Sequence, residues 1–524
     1  MKKVFNLFDL SQKVNYKTEI LSGLTVALAL VPEAIAFAMI AGFSPLTGLY
    51  AAFVMGLVTA VLGGRPGMIS GATGAIAVIF VGLILELRTA FPGITSETIL
   101  QYVFATVIIA GILQILAGVL KLGKFIRLVP HPVMFGFVNG LAIIIFMAQF
   151  PNFYQKGTSN LLEGSSMMIM LGLTLLTMLI IWGLPRLTKV VPSSLVAIIV
   201  VSAIVIGFGI NTMTVADTLN AGETIKGGFP PLSIPNIPFD FATLKIIFPY
   251  AAIVAGVGLI ESLLTLNLID EITETRGSGN KECIAQGTAN IASGLLSGMG
   301  GCAMIGQSLI NTSAGARARL SGIVAAVMLL VFIMFGSSLI EQLPMAALVG
   351  LMFMVAIGTF EWASLKTFQK MPTSDVVVMV LVTMITAITH NLAVAVLIGV
   401  ILASLAYSWE NAKRIRAKKY VDEKGVKHYE IYGPLFFGSV TGFAEKFDVL
   451  NDPNEVIIDF KESRVADMSA IEALNVITHR YFKQGKKVHL RHLSKDCIQL
   501  LNNAEAIIDV NIMEDPIYMI VDKV

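Results

Sequence analysis

Runs of hydrocarbon side chains of spanning or near-spanning length recur from residue 20 to about residue 409. They constrain this chain more than any other feature, because a bilayer leaves every peptide group to be satisfied inside a helix or a closed barrel. The runs lie near 20–40, 46–63, 71–87, 100–120, 133–150, 166–184, 190–208, 246–269, 284–297, 302–315, 320–339, 343–360, 375–390 and 392–409, fourteen segments in all, several of them short for a crossing. Composition agrees: of 524 residues 55% are hydrophobic and 14% charged, with a mean hydropathy of +0.79, outside the range of soluble globular domains. The reading is a polytopic α-helical membrane protein.

Lys and Arg mark the sides. Assigning loop ends alternately leaves Arg88, Lys156, Lys226 and Lys245 on one side and the rest, among them Lys2, Lys3, Arg186, Arg317, Arg319 and Lys413, on the side of the N-terminus. The positive-inside rule then puts both ends in the cytoplasm of a cell that holds the protein in its cell (inner) membrane. Residues 1–18 are expected to be a cytoplasmic N-terminal segment without a cleavable signal, since charged and polar residues precede the first apolar run. The stretch 210–242 contains several prolines and is expected to be an external loop joining two halves of seven segments each. The transmembrane domain is expected over 19–411 and a basic linker over 412–428. Over 429–524 the pattern changes to short β-rich runs alternating with amphipathic helices, as in one small α/β domain: YEIYGPLFFGSV, EVIIDF and KKVHLRHL as strands, DMSAIEALNVITHRYFKQG and KDCIQLLNNAEA as helices.

Cys283, Cys302 and Cys497 have no metal-ligand spacing, and no metal site is expected. Two carboxylates stand inside apolar runs, where an ionisable residue is costly and by default functional. Glu33 follows Pro32, which is expected to bend or locally open the first segment. Glu261 is the lone charge of IIFPYAAIVAGVGLIESLLTLNLI, with Gly258 and Thr265 on its helical face. Each is either a hydrogen-bonded interhelical contact or part of a polar cavity where a proton or cation is exchanged; beside the Thr265 hydroxyl, Glu261 could hold a sodium ion. His131, His390 and Asn139 are read as loop or packing residues.

Two glycine-rich breaks occupy corresponding places: GGRPGMISGATGAIAV (63–78) opens the third segment, and SGMGGCAMIGQS (297–308) opens the tenth. Glu33 and Glu261 precede them by similar distances, so a seven-segment unit is repeated, and an odd displacement inverts it in the membrane. Half-helices that begin at mid-membrane present free N–H groups and the positive end of the helix dipole, a ready anion site. Thr73, Ser70, Gln307 and Ser308 are candidate neutral donors, and no arginine is expected there.

VPEAIAFAMIAGFSPLTGLYAAF, IDEITETRGSGNKECIAQGTANIASGLLSGMGG and FKESRVADMSAIEAL resemble the sulfate permease (SulP) family of anion transporters, essentially end to end. The resemblance implies fourteen segments as 7+7 inverted repeats, with a core domain (segments 1–4 and 8–11), a gate domain (5–7 and 12–14) and a small cytoplasmic α/β STAS domain. It also implies a homodimer, elevator-like movement of core against gate, and small anion substrates such as sulfate, bicarbonate, chloride or small carboxylates. Carried over, the anion lies around Thr73, Gly74, Gly301, Cys302 and Ala303, with Glu33, Glu261 and Thr265 as ion-coupling residues. Relatives that use sodium typically have aspartate at the Glu261 position and a hydroxyl residue at the start of the tenth segment. Proton coupling is therefore expected, with sodium-coupled bicarbonate symport and an anion channel or exchanger as alternatives. Ser469 resembles a phosphorylated serine of anti-sigma-factor antagonists and is also an N-cap candidate. No enzymatic chemistry, cofactor or nucleic-acid partner is expected; the lipid bilayer, and a cytoplasmic protein reached through the STAS domain, are.

Overall fold

The computed structural model describes residues 15–123, 130–155, 160–187, 192–218, 227–238, 240–366, 370, 372–389, 392–494 and 497–499. The chain divides into two units, residues 1–400 and 401–524.

Among the described residues, fourteen principal helices order the first part of the chain. They are α1 Tyr16–Ile40, α2 Pro45–Leu62, α3 Gly74–Ala90, α4 Ser96–Val119, α5 His131–Met147, α6 Gly164–Leu187, α7 Ser193–Gly207, α8 Phe241–Thr273, α9 Gly279–Leu295, α10 Ile305–Ser313, α11 Leu320–Phe335, α12 Met345–Thr359, α13 Thr373–Thr389 and α14 Leu392–Ala412. Among the described residues, seven apolar helical stretches are long enough to cross a membrane alone. At nine residues α10 spans about 14 Å at 1.5 Å per residue and cannot. Starts follow local chemistry: Asn15, Thr95 and Asp240 accept from the N–H three residues on, and Pro45 occupies the first turn of α2. The expected opening at Pro32 does not occur. Helix α1 runs through it unbroken, so proline removes one donor without releasing the chain.

The packing map is the clearest statement of the repeat. Helix α4 packs on α9 and α2 on α11; α1 on α11 and α4 on α8; α3 on α8 and α1 on α10; α5 on α13 and α6 on α12. Each pair becomes its companion when seven is added to or subtracted from both helix numbers. The fold is thus two repeats of seven, with α1–α4 and α8–α11 intertwined as one bundle and α5–α7 packed with α12 and α13 as another. Glycine permits the tight crossings: a Cβ on Gly111 of α4 would stand 2.5 Å from the Gly287 carbonyl oxygen of α9, and one on Gly287 2.4 Å from that of Gly111. Between the halves the described residues of 208–240 are irregular apart from one helical turn at Val215–Thr218, and Thr214 bridges to Pro344.

In the second unit a sheet is ordered β3 (Arg416–Val421), β4 (Lys427–Leu435), β5 (Glu455–Val465), β6 (Lys487–Arg491). The first pair is antiparallel and the others parallel, with α15 (Met468–Lys483) crossing from β5 to β6. Tyr429, Val456, Ile458, Phe460 and Leu490 of the strands share a core with Ile471, Leu474, Ile477 and Tyr481 of α15. The linker expected over 412–428 is shorter than that: Arg416–Val421 is an edge strand whose exposed lysines suit an unpaired edge. Of the expected helix KDCIQLLNNAEA only residues 497–499 are described, and they are helical. His390 lies outside the described residues.

Candidate functional site

The two breaks meet. Ser70–Gly71 (β1) pairs antiparallel with Cys302–Ala303 (β2), Ser70 opposite Ala303 and Gly71 opposite Cys302. Met304 N–H donates to the Ile69 carbonyl at 2.9 Å, extending the bridge. Here glycine is a steric necessity, since a Cβ on Gly301 would lie 2.0 Å from the Gly71 carbonyl oxygen. From this bridge α3 and α10 start, each three residues later than the apolar pattern suggests. Their N-cap residues, Thr73 and Met304, provide no side-chain cap, so both first turns keep open N–H groups and the positive dipole end. In front of Gly306, in the first turn of α10, there is open space, whereas a Cβ on Gly74 would meet Phe37 of α1 and Ile145 of α5 at about 3 Å.

Two half-buried carboxylates flank the bridge. Glu33 Oε2 accepts from Gln307 Nε2, joining α1 to the first turn of α10. Glu261 Oε2 accepts from the Cys302 thiol at 2.9 Å, and Cys302 Sγ is 3.2 Å from Thr73 Oγ1. A hydroxyl, a thiol and a carboxylate therefore run in series from one half-helix start to α8. Among the described residues the buried cation is Arg65, which is held by Asp270 at 3.2 Å and by the hydroxyls of Thr273 and Thr275 at and just beyond the C-terminal end of α8. No Lys or Arg is among the residues of the bridge and its flanks.

Thr73, Gly74, Gly301, Cys302, Ala303, Glu33 and Glu261 are thus brought together, but their roles divide. Gly301 is not an open donor: its N–H donates to Asn290 Oδ1 at 2.9 Å and its carbonyl accepts from Asn290 Nδ2 at 3.1 Å. The Ala303 N–H donates to Ser262 Oγ at 3.0 Å. These two residues shape the site, and the free donors belong to the first turns of α3 and α10. The Thr265 hydroxyl is turned onto its own helix, donating to the Glu261 carbonyl at 2.8 Å rather than to its carboxylate. Ser70 accepts from Gln286, and Ser308 accepts from the Ile69 N–H, so both support the bridge. Ser469 is the second residue of α15; Asp467 is the N-cap, accepting from Ala470 N–H at 2.9 Å and from Phe437 N–H at 2.8 Å.

Sequence reasoning missed the polar stripe of α9. Glu282, Gln286, Asn290 and Ser293 are all fully buried and point at the bridge or the loop before it. The 4, 4, 3 spacing of these polar residues, the last three of them inside the run 284–297 treated as apolar, was the available signal. Asn311 was also missed; it donates to the Gly67 carbonyl and to Ser321, and accepts from Ser22 at 2.6 Å.

Comparison with known proteins gives the same arrangement a context. The Sulfate permease family pattern matches residues 16–383 and the STAS domain pattern residues 418–520. YbaR of Bacillus subtilis (strain 168), named for sulfate transport, is 42% identical over 94% of this chain and 98% of its own length. The bicarbonate transporter BicA of Picosynechococcus sp. is 30% identical over 91% and 88%. The solved transmembrane domain of a cyanobacterial BicA superposes with a TM-score of 0.63 at 29% identity, covering 75% of this chain and 98% of that one. The structure of SLC26A9 shares the fold with a TM-score of 0.78 at 17% identity, over 93% and 86%.

Proposed function

The chain belongs to the sulfate permease family, a multi-pass membrane protein with a C-terminal STAS domain, and we propose that it is a proton-coupled secondary active transporter of small inorganic or carboxylate anions. One observation carries this reading: two uncapped helix N-termini converge on a bridge flanked by two half-buried glutamates and no cation. The helix ends favour an anion and the carboxylates oppose it. Two unit charges about 4 Å apart at an effective dielectric of about 20 repel by ~4 kcal/mol. Anion and protons therefore bind best together: a proton on Glu33 or Glu261 removes the repulsion, and an anion on the helix ends raises each glutamate's demand for its proton. Co-binding of opposite charges is the thermodynamic content of symport.

The anion would rest against the first turns of α3 and α10, near Thr73, Gly74 and Cys302. Alternating access would come from movement of the bundle bearing the bridge against the bundle of α5–α7 and α12–α14, in an elevator fashion, within a homodimer. Both ends of the chain would be cytoplasmic, the STAS domain being available to a protein partner and Ser469 a candidate for its regulation. Sodium coupling has less support: a hard cation prefers several oxygen ligands, and beside Glu261 the nearest groups are a thiol and a hydroxyl that donates elsewhere.

The test is uptake of labelled sulfate, bicarbonate and succinate into proteoliposomes under imposed proton or sodium gradients. Uptake driven by an inward proton gradient, and saturating with anion, is the expected result. Uptake that follows sodium instead, or that rises linearly without saturation, overturns the proposal in favour of the symporter or the channel respectively.

A further inference from the structure

The bridge is built from both repeats, but the side chains that hold it come from one. Gln286 donates to Ser70 Oγ at 2.8 Å, Ser262 accepts from Ala303 N–H, Ser293 accepts from Gly300 N–H at 3.1 Å, and Asn290 grips Gly301 at both its N–H and its carbonyl. All four belong to α8 or α9. The corresponding helix of the first repeat, α2, offers no such set; its Thr59 hydroxyl donates to its own helix at Met55. A backbone that crosses another at glycine–glycine distance has lost its ladder partners on one side, and an amide side chain, carrying a donor and an acceptor together, can replace both at once.

We propose that Asn290 is a positioning residue for the anion, acting through Gly301 to aim the start of α10 at the site; this inference rests on the transport reading above. The geometry is specific. Asn290 is fully buried, and Gly300 takes a left-handed turn at φ +72°, which presents the Gly301 N–H to Asn290 Oδ1. Nothing larger fits at Gly300, where a Cβ would meet that same oxygen at 2.6 Å. Asn290 is itself steadied, its Nδ2 also donating to Gln114 Oε1 of α4 at 2.9 Å. From Gly301 the chain passes through Cys302, which touches both Glu261 and Thr73, and reaches the open first turn of α10 four residues after Gly301. A small rotation at Gly301 is therefore transmitted to the thiol and to the free N–H groups of Ile305, Gly306 and Gln307.

The experiment compares wild type, Asn290→Ala and Asn290→Asp in proteoliposomes, using labelled sulfate and labelled bicarbonate, with rates normalised to folded transporter. For Asn290→Ala the half-saturating anion concentration is expected to rise about tenfold, with the maximal rate within about twofold of wild type. Asn290→Asp keeps the acceptor for the Gly301 N–H but loses the donor to its carbonyl and adds a carboxylate, so its half-saturating concentration should rise at least as far as that of Asn290→Ala. A fall in maximal rate at unchanged half-saturation would mean that Asn290 only packs the helices, and the proposal fails. Should Asn290→Ala not reach the membrane, Gln114→Leu, which frees Asn290 while leaving its hold on Gly301, carries the same test: a smaller rise in half-saturation supports the proposal and wild-type half-saturation overturns it. If the wild type takes up neither of these anions nor labelled succinate, the transport reading itself fails. If it takes up any of them and the variants keep its half-saturation, only the present inference does.

Discussion

Replacing Gly301 by alanine tests the crossing on which the site is built. The new Cβ would stand 2.0 Å from the Gly71 carbonyl oxygen and 2.7 Å from its carbon, whereas ordinary contact begins at 3.4 Å. The obstacle is backbone on a strand end, not a side chain that can rotate away, so β1 and β2 must separate by more than an ångström. That movement drags Gly301 off Asn290. Overpacking costs about 1–3 kcal/mol and the two lost hydrogen bonds about 1 kcal/mol each, roughly 3–5 kcal/mol together. A domain of ordinary stability survives such a loss, so the variant should insert, melt several degrees lower in detergent and take up no anion. Gly306→Ala is the control: a Cβ there meets nothing within 4 Å and alanine favours the helix by about 1 kcal/mol. It should melt at or above the wild-type temperature, while its methyl, standing in the open space before α10, lowers uptake. Wild-type melting and uptake in Gly301→Ala would refute the geometry described here.

Four further outcomes are expected. Glu33→Gln should still take up anion down its own gradient but no longer respond to an imposed proton gradient, read as uptake against internal pH. Asp467→Ala, which removes the cap of α15 and the acceptor for Phe437 N–H, should destabilise the STAS domain by about 1–2 kcal/mol in a denaturant titration. Burial and the neighbouring Asp452 carboxylate push the Tyr429 phenol up from 10.0 to about 12, and raise Tyr481 in the same direction. Because the folded pKa lies above the unfolded one, their contribution to stability is complete below pH 10 and fades as pH climbs towards 12; alkaline unfolding followed by circular dichroism should show this loss in wild type and less of it in Tyr429→Phe. Tyr481→Phe, which deletes one of two hydroxyls donating to Asp452 at 2.5 Å, should lower STAS stability by about 1 kcal/mol at neutral pH.

The apolar runs and the paired glycine breaks made most of the architecture legible, because lipid forces helices and only glycine tolerates so close a crossing. Helix starts were legible to within about five residues, and the two late starts have one cause: at 71 and 302 the small apolar residues continue the hydrophobic pattern, yet they pair as strands before either helix begins. The meeting of Glu33 with Gln307, 274 residues apart, and of Glu261 with Cys302 could not be read from spacing, since it depends on how the repeats interlock. That the N–H groups of Gly301 and Ala303 are already engaged was hidden for a related reason. Sequence shows where N–H groups are freed from a helix, not whether a side chain from another helix has already taken them. The edge strand Arg416–Val421 was hidden by its lysines, whose charge suggested a linker; the same charge is what an exposed sheet edge requires.

The β1–β2 bridge lies where the two repeats exchange places, each contributing one strand and one half-helix. On the transport reading proposed above, a ligand held on that exchange point would face one half-helix start from each repeat, but not equal walls: the space before Gly306 is open, while Gly74 stands against Phe37 and Ile145. The departures from symmetry at Gly74, Cys302 and Asn290 would then be the places where a preference for one side is written.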